Sequence, residues 1–127
     1  MVMEPLGFLA RIPAFIGRYV FLIRDRKRQI HAGAAAVATE LDFNADAAAL
    51  YEAGGRDIAS TRNEFAFSAW DEQQTTIHAL HKAKDKTLWH EVAAAYADLR
   101  RTHARGAEPP SSQGLSELAQ RLREARY

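Results

Sequence analysis

The chain has 127 residues, no cysteine and a formal net charge of +1. That length suits one domain with a modest core, and the missing cysteines exclude disulfides, thiolate zinc sites and a cysteine nucleophile while fitting a reducing compartment. The small net charge hides a segregation: residues 1–31 carry six Lys/Arg against two acids, residues 32–81 two Arg against eight acids, and residues 82–105 six bases against three acids. A body with so acidic a central stretch argues against a nucleic-acid partner, and none is expected.

Leu6 to Ile23 is an apolar run that ends in a basic cluster, Arg24-Asp25-Arg26-Lys27-Arg28. A spanning helix needs roughly 20 predominantly apolar residues, and here Arg11, Pro13 and Arg18 interrupt the run. Each Arg near a bilayer centre costs about 2.5–3.5 kcal/mol against a gain of about 0.3–0.6 for each large apolar residue, so the two nearly cancel. On a helical wheel Arg11 and Arg18 share one face, while Leu9, Ile12, Phe15, Ile16, Tyr19 and Ile23 lie largely elsewhere. That is the pattern of an amphipathic helix among lipid headgroups, with Arg stems snorkelling and the basic cluster drawn to anionic lipid.

The expected membrane-contact set is Phe8, Leu9, Ile12, Phe15, Ile16, Tyr19, Val20, Phe21, Leu22, Ile23, Arg24, Arg26, Lys27 and Arg28. A secretory signal would place its bases before the apolar run and a small-residue cleavage site after it; here the bases follow. The plain alternative is an amphipathic helix packed on the chain's own core or on a second copy.

From Arg24 the sequence is rich in helix formers. Ile30, Ala34, Val37, Leu41, Ala48 and Tyr51 recur at helical spacing, with Asn44 in the slot between Leu41 and Ala48. This predicts a helix over 24–53, stopped by Gly54-Gly55 and either continuous with the apolar segment or kinked from it near Pro13. Residues 56–67 lack a period and read as a connector, with Phe65 and Phe67 as an apolar lid. Ser68 is the expected N-cap of a helix over 69–81 whose inward stripe is Trp70, Ile77 and Leu80.

After the polar turn at 82–86, Thr87 opens the next helix. Its expected buried face is Leu88, Trp89, Val92, Ala95, Tyr96 and Leu99, with Arg100, Arg101 and Arg105 near its C-terminal dipole. Gly106 and Pro109-Pro110 end it, 111–114 is a link, and a last short helix over 115–125 carries Leu115, Leu118 and Leu122 on one side. No stretch alternates like a strand.

Motifs for chemistry are sparse. His78 and His81 share a helix face and Glu91 lies on the next helix, but the spacing is not that of a zinc hydrolase, so isolated histidines are expected and no metal is. Asn44 reads as a register-setting or terminus-binding residue of the core. Glu40 and Asp42 point to different sides of a helix and form no acid–base pair. There is no nucleophile elbow, phosphate loop or dinucleotide-binding turn.

Glu40-Leu41-x-x-Asn44, Trp70 and Leu88-Trp89-x-x-Val92-x-x-Ala95-Tyr96-x-x-Leu99 form a pattern of packing residues across 19–102. In it the chain resembles a group of small uncharacterised bacterial proteins with one N-terminal membrane helix, an Arg-rich stop and a cytoplasmic helical hairpin domain. The resemblance implies an N-terminal anchor and no assigned activity. Arg11, Pro13 and Arg18 depart from that pattern by interrupting the membrane helix.

The expected fold is all-α: a long N-terminal helix packed with an antiparallel helical hairpin, plus a short C-terminal helix. The expected organisation is a membrane-contacting segment over 1–23, a helical domain over 24–105, and a linker with a short helix over 106–127. The functional expectation is a non-enzymatic, membrane-associated scaffold or interaction module with its body in the cytoplasm; the alternative is a soluble helical self-association or partner-binding module whose N-terminal segment is a packing helix. It needs no cofactor, and its partners are a bilayer surface and, secondarily, a second copy or another protein.

Overall fold

Residues 3–52 form one uninterrupted helix. In the computed structural model, which describes the backbone of residues 3–82 and 85–125 and the side chains of 22–80 and 85–125, α1 spans Met3–Glu52. The helix over 24–53 is therefore continuous with the apolar segment, and Pro13 lies inside it. Four more α-helices follow among the described residues: α2 (Ile58–Thr61), α3 (Ser68–Ile77), α4 (Leu88–Arg105) and α5 (Ser112–Glu124), with a 3-10 turn over His78–Lys82. The architecture is all-helical, as the residue pattern predicts.

The helices alternate in direction. Glu40 meets the start of α3 and Gly33 meets its end, so α3 runs antiparallel to α1. Ser112 meets Glu52 and Arg123 meets Asp42, so α5 also runs antiparallel to α1. Trp89 bonds Gln74 and Arg100 pairs with Asp71, which sets α4 antiparallel to α3. The alternation lets four amphipathic faces share one core through short connections.

Most of the predicted seam of α1 is the heart of that core: Ile30, Ala34, Val37, Leu41, Asn44 and Ala48 are buried, while Tyr51 at its end is only half-buried. Trp70, Ile77 and Leu80 enter from the α3 side, and Leu88, Val92, Ala95, Tyr96 and Leu99 from α4. Trp89 is only half-buried, its indole N–H donating to the Gln74 carbonyl at 3.0 Å. Gly33 permits the tight approach of α3, since a Cβ there would stand 2.7 Å from Gln73 Oε1 and 3.0 Å from Ile77 Cγ2. The glycines that end α1 and α4 both hold positive φ, 76° at Gly54 and 68° at Gly106, a conformation that other residues adopt at a steric cost.

Three boundaries differ from the sequence expectation. The predicted helix over 69–81 is α-helical only to Ile77 and tightens into the 3-10 turn. Its N-cap position is Phe67, whose side chain has no acceptor to offer, and the carboxylate of Glu40 reaches across to accept from the Ala69 and Trp70 amides in the role expected of Ser68. The last helix begins at Ser112 rather than 115, since the Ser111 hydroxyl accepts from the Gly114 amide at 3.0 Å. The stretch over 111–114 is thus the opening of α5, and not a link.

The last helix, α5, lies along α1, burying Leu115, Ala119 and Leu122, while Leu118 stays half-buried. The connector over 56–67 also has more order than its sequence suggests, because Asp57 caps the single turn of α2 by accepting from the Ser60 amide at 2.8 Å.

Candidate functional site

The basic cluster sits where α1 leaves the bundle. Ile30 is the first buried α1 side chain among the described residues; before it Leu22, Ile23, Arg24, Arg26, Lys27 and Arg28 are all exposed. Leu22 shows 64 % and Ile23 40 % of its surface. The remaining residues of the expected membrane-contact set, Phe8, Leu9, Ile12, Phe15, Ile16, Tyr19, Val20 and Phe21, have side chains outside the described residues.

Charge distinguishes this end of α1 from the bundle. Among the described residues, Arg24, Arg26, Lys27 and Arg28 form no ion pair, and Asp25 within the cluster accepts from Gln29 Nε2 at 3.1 Å. Most arginines of the bundle are used internally. Arg56 pairs with Glu64, Arg100 with Asp71, Arg101 with Asp98, Arg121 with Asp85 and Glu91, and Arg123 with Asp42. Arg62 donates to the carbonyls of His103 and Ala104 at 2.9 and 2.8 Å, closing the C-terminal end of α4. An open cleft of about 500 Å³ lies beside the cluster, lined by Leu22, Asp25, Arg26, Gln29, Ile30, Thr75 and Thr76. Four cations without an ion pair among the described residues thus stand within five residues, with Asp25 the one acid among them, which leaves a local excess of positive charge.

The buried polar groups are structural. Glu40 is 8 % exposed and accepts four hydrogen bonds: from the Ala69 amide (2.8 Å), the Trp70 amide (3.1 Å), the Tyr96 hydroxyl (2.8 Å) and the Ser68 hydroxyl (3.4 Å). Burial first, then the hydrogen bond to the Glu40 carboxylate, pushes the Tyr96 hydroxyl far above its ordinary pKa and keeps it a donor. Trp70 stacks on Tyr96 with ring centroids 5.0 Å apart and planes 9° apart, so the network is sealed by aromatic surface. Sequence reasoning missed this role, because Glu40 meets partners 28 to 56 positions away.

Asn44 does what its place in the seam implies. It is fully buried, donates to the Ala66 carbonyl at 3.0 Å and accepts from the Ala66 amide at 2.8 Å, tying the connector to α1. Asn44→Ala is expected to cost about 2–3 kcal/mol, because it strands two backbone groups in the interior. Urea denaturation followed by tryptophan fluorescence checks this.

The histidines and Glu91 have other engagements. His78 lies edge-on to Trp89 at 4.6 Å and His90 at 5.3 Å. Glu91 bonds Arg121 at 2.6 Å and Thr87 at 3.0 Å; the side chain of His81 lies outside the described residues. Among the described residues no group of three His, Asp or Glu side chains is placed to hold a metal ion. Asp42 pairs with Arg123 and Glu40 points into the core, so the two carboxylates stay on different sides of α1.

Three exposed carboxylates lie below their ordinary pKa values. Glu52 is lowered by the Ser112 hydroxyl and amide, Asp57 by the Ser60 amide, and Glu91 by hydrogen bonds from Arg121 and Thr87. The folded state therefore binds fewer protons than the unfolded one, so stability rises with pH through the carboxylate range. It is expected to be level above about pH 5 and to fall as pH drops below about 4. Urea midpoints between pH 7 and 3 measure this, and the deficit of Glu52→Ala relative to the parent should shrink as pH falls.

Compared with known proteins, the chain matches no family model, no curated protein and no solved structure. Among the described residues no helix is long and apolar enough to cross a membrane. The class that fold and site define is an all-α bundle on a long N-terminal helix, with a free basic cluster at the point where that helix emerges.

Proposed function

We propose that the chain is a non-enzymatic, membrane-associated helical protein, attached through the N-terminal part of α1 and presenting its bundle in the cytoplasm as a scaffold or interaction module. The observation that carries the reading is the exposed cluster Arg24, Arg26, Lys27 and Arg28, which forms no ion pair among the described residues while the bundle's other arginines mostly do. Anionic headgroups would supply the missing counter-charges, and the neighbouring apolar run would supply burial. The continuity of α1 supports it further, because a helix without a break transmits the orientation of the attached segment to the bundle.

The test compares the full chain with one beginning at Arg24 in sedimentation with vesicles of mixed neutral and anionic lipid. The full chain is expected in the lipid pellet and the shortened chain largely in the supernatant. Equal partition of the two chains would sink the proposal.

A further inference from the structure

Within the bundle α1 has two opposite faces, and one of them is bare. Ile30, Val37, Leu41 and Ala48 enter the core, while Ala32, Ala35, Thr39, Phe43 and Leu50 are exposed on the other side. Phe43 shows 54 % and Leu50 46 % of its surface. Two charges of opposite sign bracket the small residues of this face, Arg28 before them and Asp46 after. Both are exposed, and neither pairs with another described residue. They stand 18 positions apart, which is about five helical turns and roughly 27 Å, so both point in one direction.

Such a face is complementary to itself in one orientation. Two copies side by side in parallel set Arg28 against Arg28 and Asp46 against Asp46, which is repulsive at both ends. Turned antiparallel about a two-fold axis near Val37, each Arg28 meets an Asp46, and the requirement of an isologous contact is satisfied twice. Ala32, Ala35 and Thr39 then lie at the centre, where small side chains let helices approach to about 8 Å, and Phe43 covers the alanines opposite. We infer that this outer face of α1 docks on the same face of a second copy of the chain, antiparallel, with Arg28 of each copy paired to Asp46 of the other.

The pairing does not depend on membrane attachment, but it constrains it: Arg28 is then taken by Asp46 of the other copy, and Arg24, Arg26 and Lys27 are left for the headgroups. Antiparallel copies carry their N-terminal segments at opposite ends of the pair. Both segments reach one bilayer only if α1 lies along its surface, which selects interfacial attachment over a span.

The absence of native cysteine makes the geometry directly testable in the full chain. Arg28→Cys and Asp46→Cys alter exposed positions, and a short bismaleimide linker is added to each variant alone and to an equal mixture. The expected result is covalent dimer chiefly in the mixture. Efficient cross-linking of Arg28→Cys alone means parallel pairing and overturns the inference, as does an absence of dimer in all three samples.

Sedimentation equilibrium supplies the second reading. Arg28→Asp should weaken self-association by at least about tenfold, and adding Asp46→Arg should restore it to within about threefold, as expected of a directly coupled charge pair. A double variant no stronger than the single one overturns the inference. Running both measurements with and without vesicles separates the two proposals: pairing without lipid binding removes the membrane reading alone, and lipid binding without pairing removes this one alone.

Discussion

Glu40→Ala should lose about 3–4 kcal/mol of stability, among the largest effects of any single substitution in the bundle. The side chain is almost fully buried and joins three helices: it leaves α1, receives the first amides of α3 and takes the Tyr96 hydroxyl from α4. Its removal leaves two amides and a hydroxyl without acceptors in a site closed by the Trp70 and Tyr96 rings. It also removes a negative charge from the positive end of a helix, where a carboxylate is stabilising. Glu40→Gln keeps the volume but can turn only one acceptor oxygen toward the two amides and the Tyr96 and Ser68 hydroxyls, so it should recover less than half of the loss.

Tyr96→Phe is expected to cost about 1–1.5 kcal/mol, since the Glu40 carboxylate keeps its amide partners. Together Glu40→Ala and Tyr96→Phe should cost less than their sum, because the second change removes a hydroxyl that the first has already orphaned. Urea denaturation read by tryptophan fluorescence measures all four variants. A Glu40→Ala protein within 1 kcal/mol of the parent would mean that water replaces the carboxylate at the junction.

This junction shows where sequence reading ends. Local periodicity places most of the α1 seam, the Trp70–Ile77–Leu80 stripe and most of the buried face of α4, because each is written at helical spacings of three, four or seven residues; Tyr51 and Trp89, at the margins of those faces, are only half-buried. Helix ends are a different matter. The first turn of α3 is satisfied by Glu40, the first amide of α5 by Glu52 at 2.8 Å, and the last carbonyls of α4 by Arg62. Each of these side chains is remote in sequence, and each carries the sign that complements the helix dipole at the end it closes.

Ser68 looked like the natural cap because it is adjacent, yet a charge-assisted acceptor from another helix displaced it. The same limit hid the packing of α5. Leu115, Ala119 and Leu122 form an ordinary apolar stripe, and nothing local to them shows that α1 holds the matching surface from Asp42 to Glu52. The basic cluster is the converse case. Its charges are plain in the sequence, but their freedom is visible only once the bundle's other arginines are seen to be largely spoken for.

That freedom carries the second large expected effect. Replacing Arg24, Arg26 and Lys27 together by alanine should weaken binding to anionic vesicles by about 3 kcal/mol, roughly a hundredfold, at about 1 kcal/mol for each basic residue near the surface. Because none of the three contributes an ion pair to the described fold, the unfolding free energy from urea denaturation should stay within about 0.5 kcal/mol of the parent. Arg121→Ala should do the reverse, lowering stability by stripping Asp85 and Glu91 of their partner while leaving vesicle binding intact. Salt sharpens the contrast: the Debye length shortens from about 10 Å at 0.1 M to about 3 Å at 1 M, so the parent should approach the triple variant as salt rises. If the two bind alike at low salt, the cluster gives no electrostatic hold, and attachment would have to rest on the apolar segment alone.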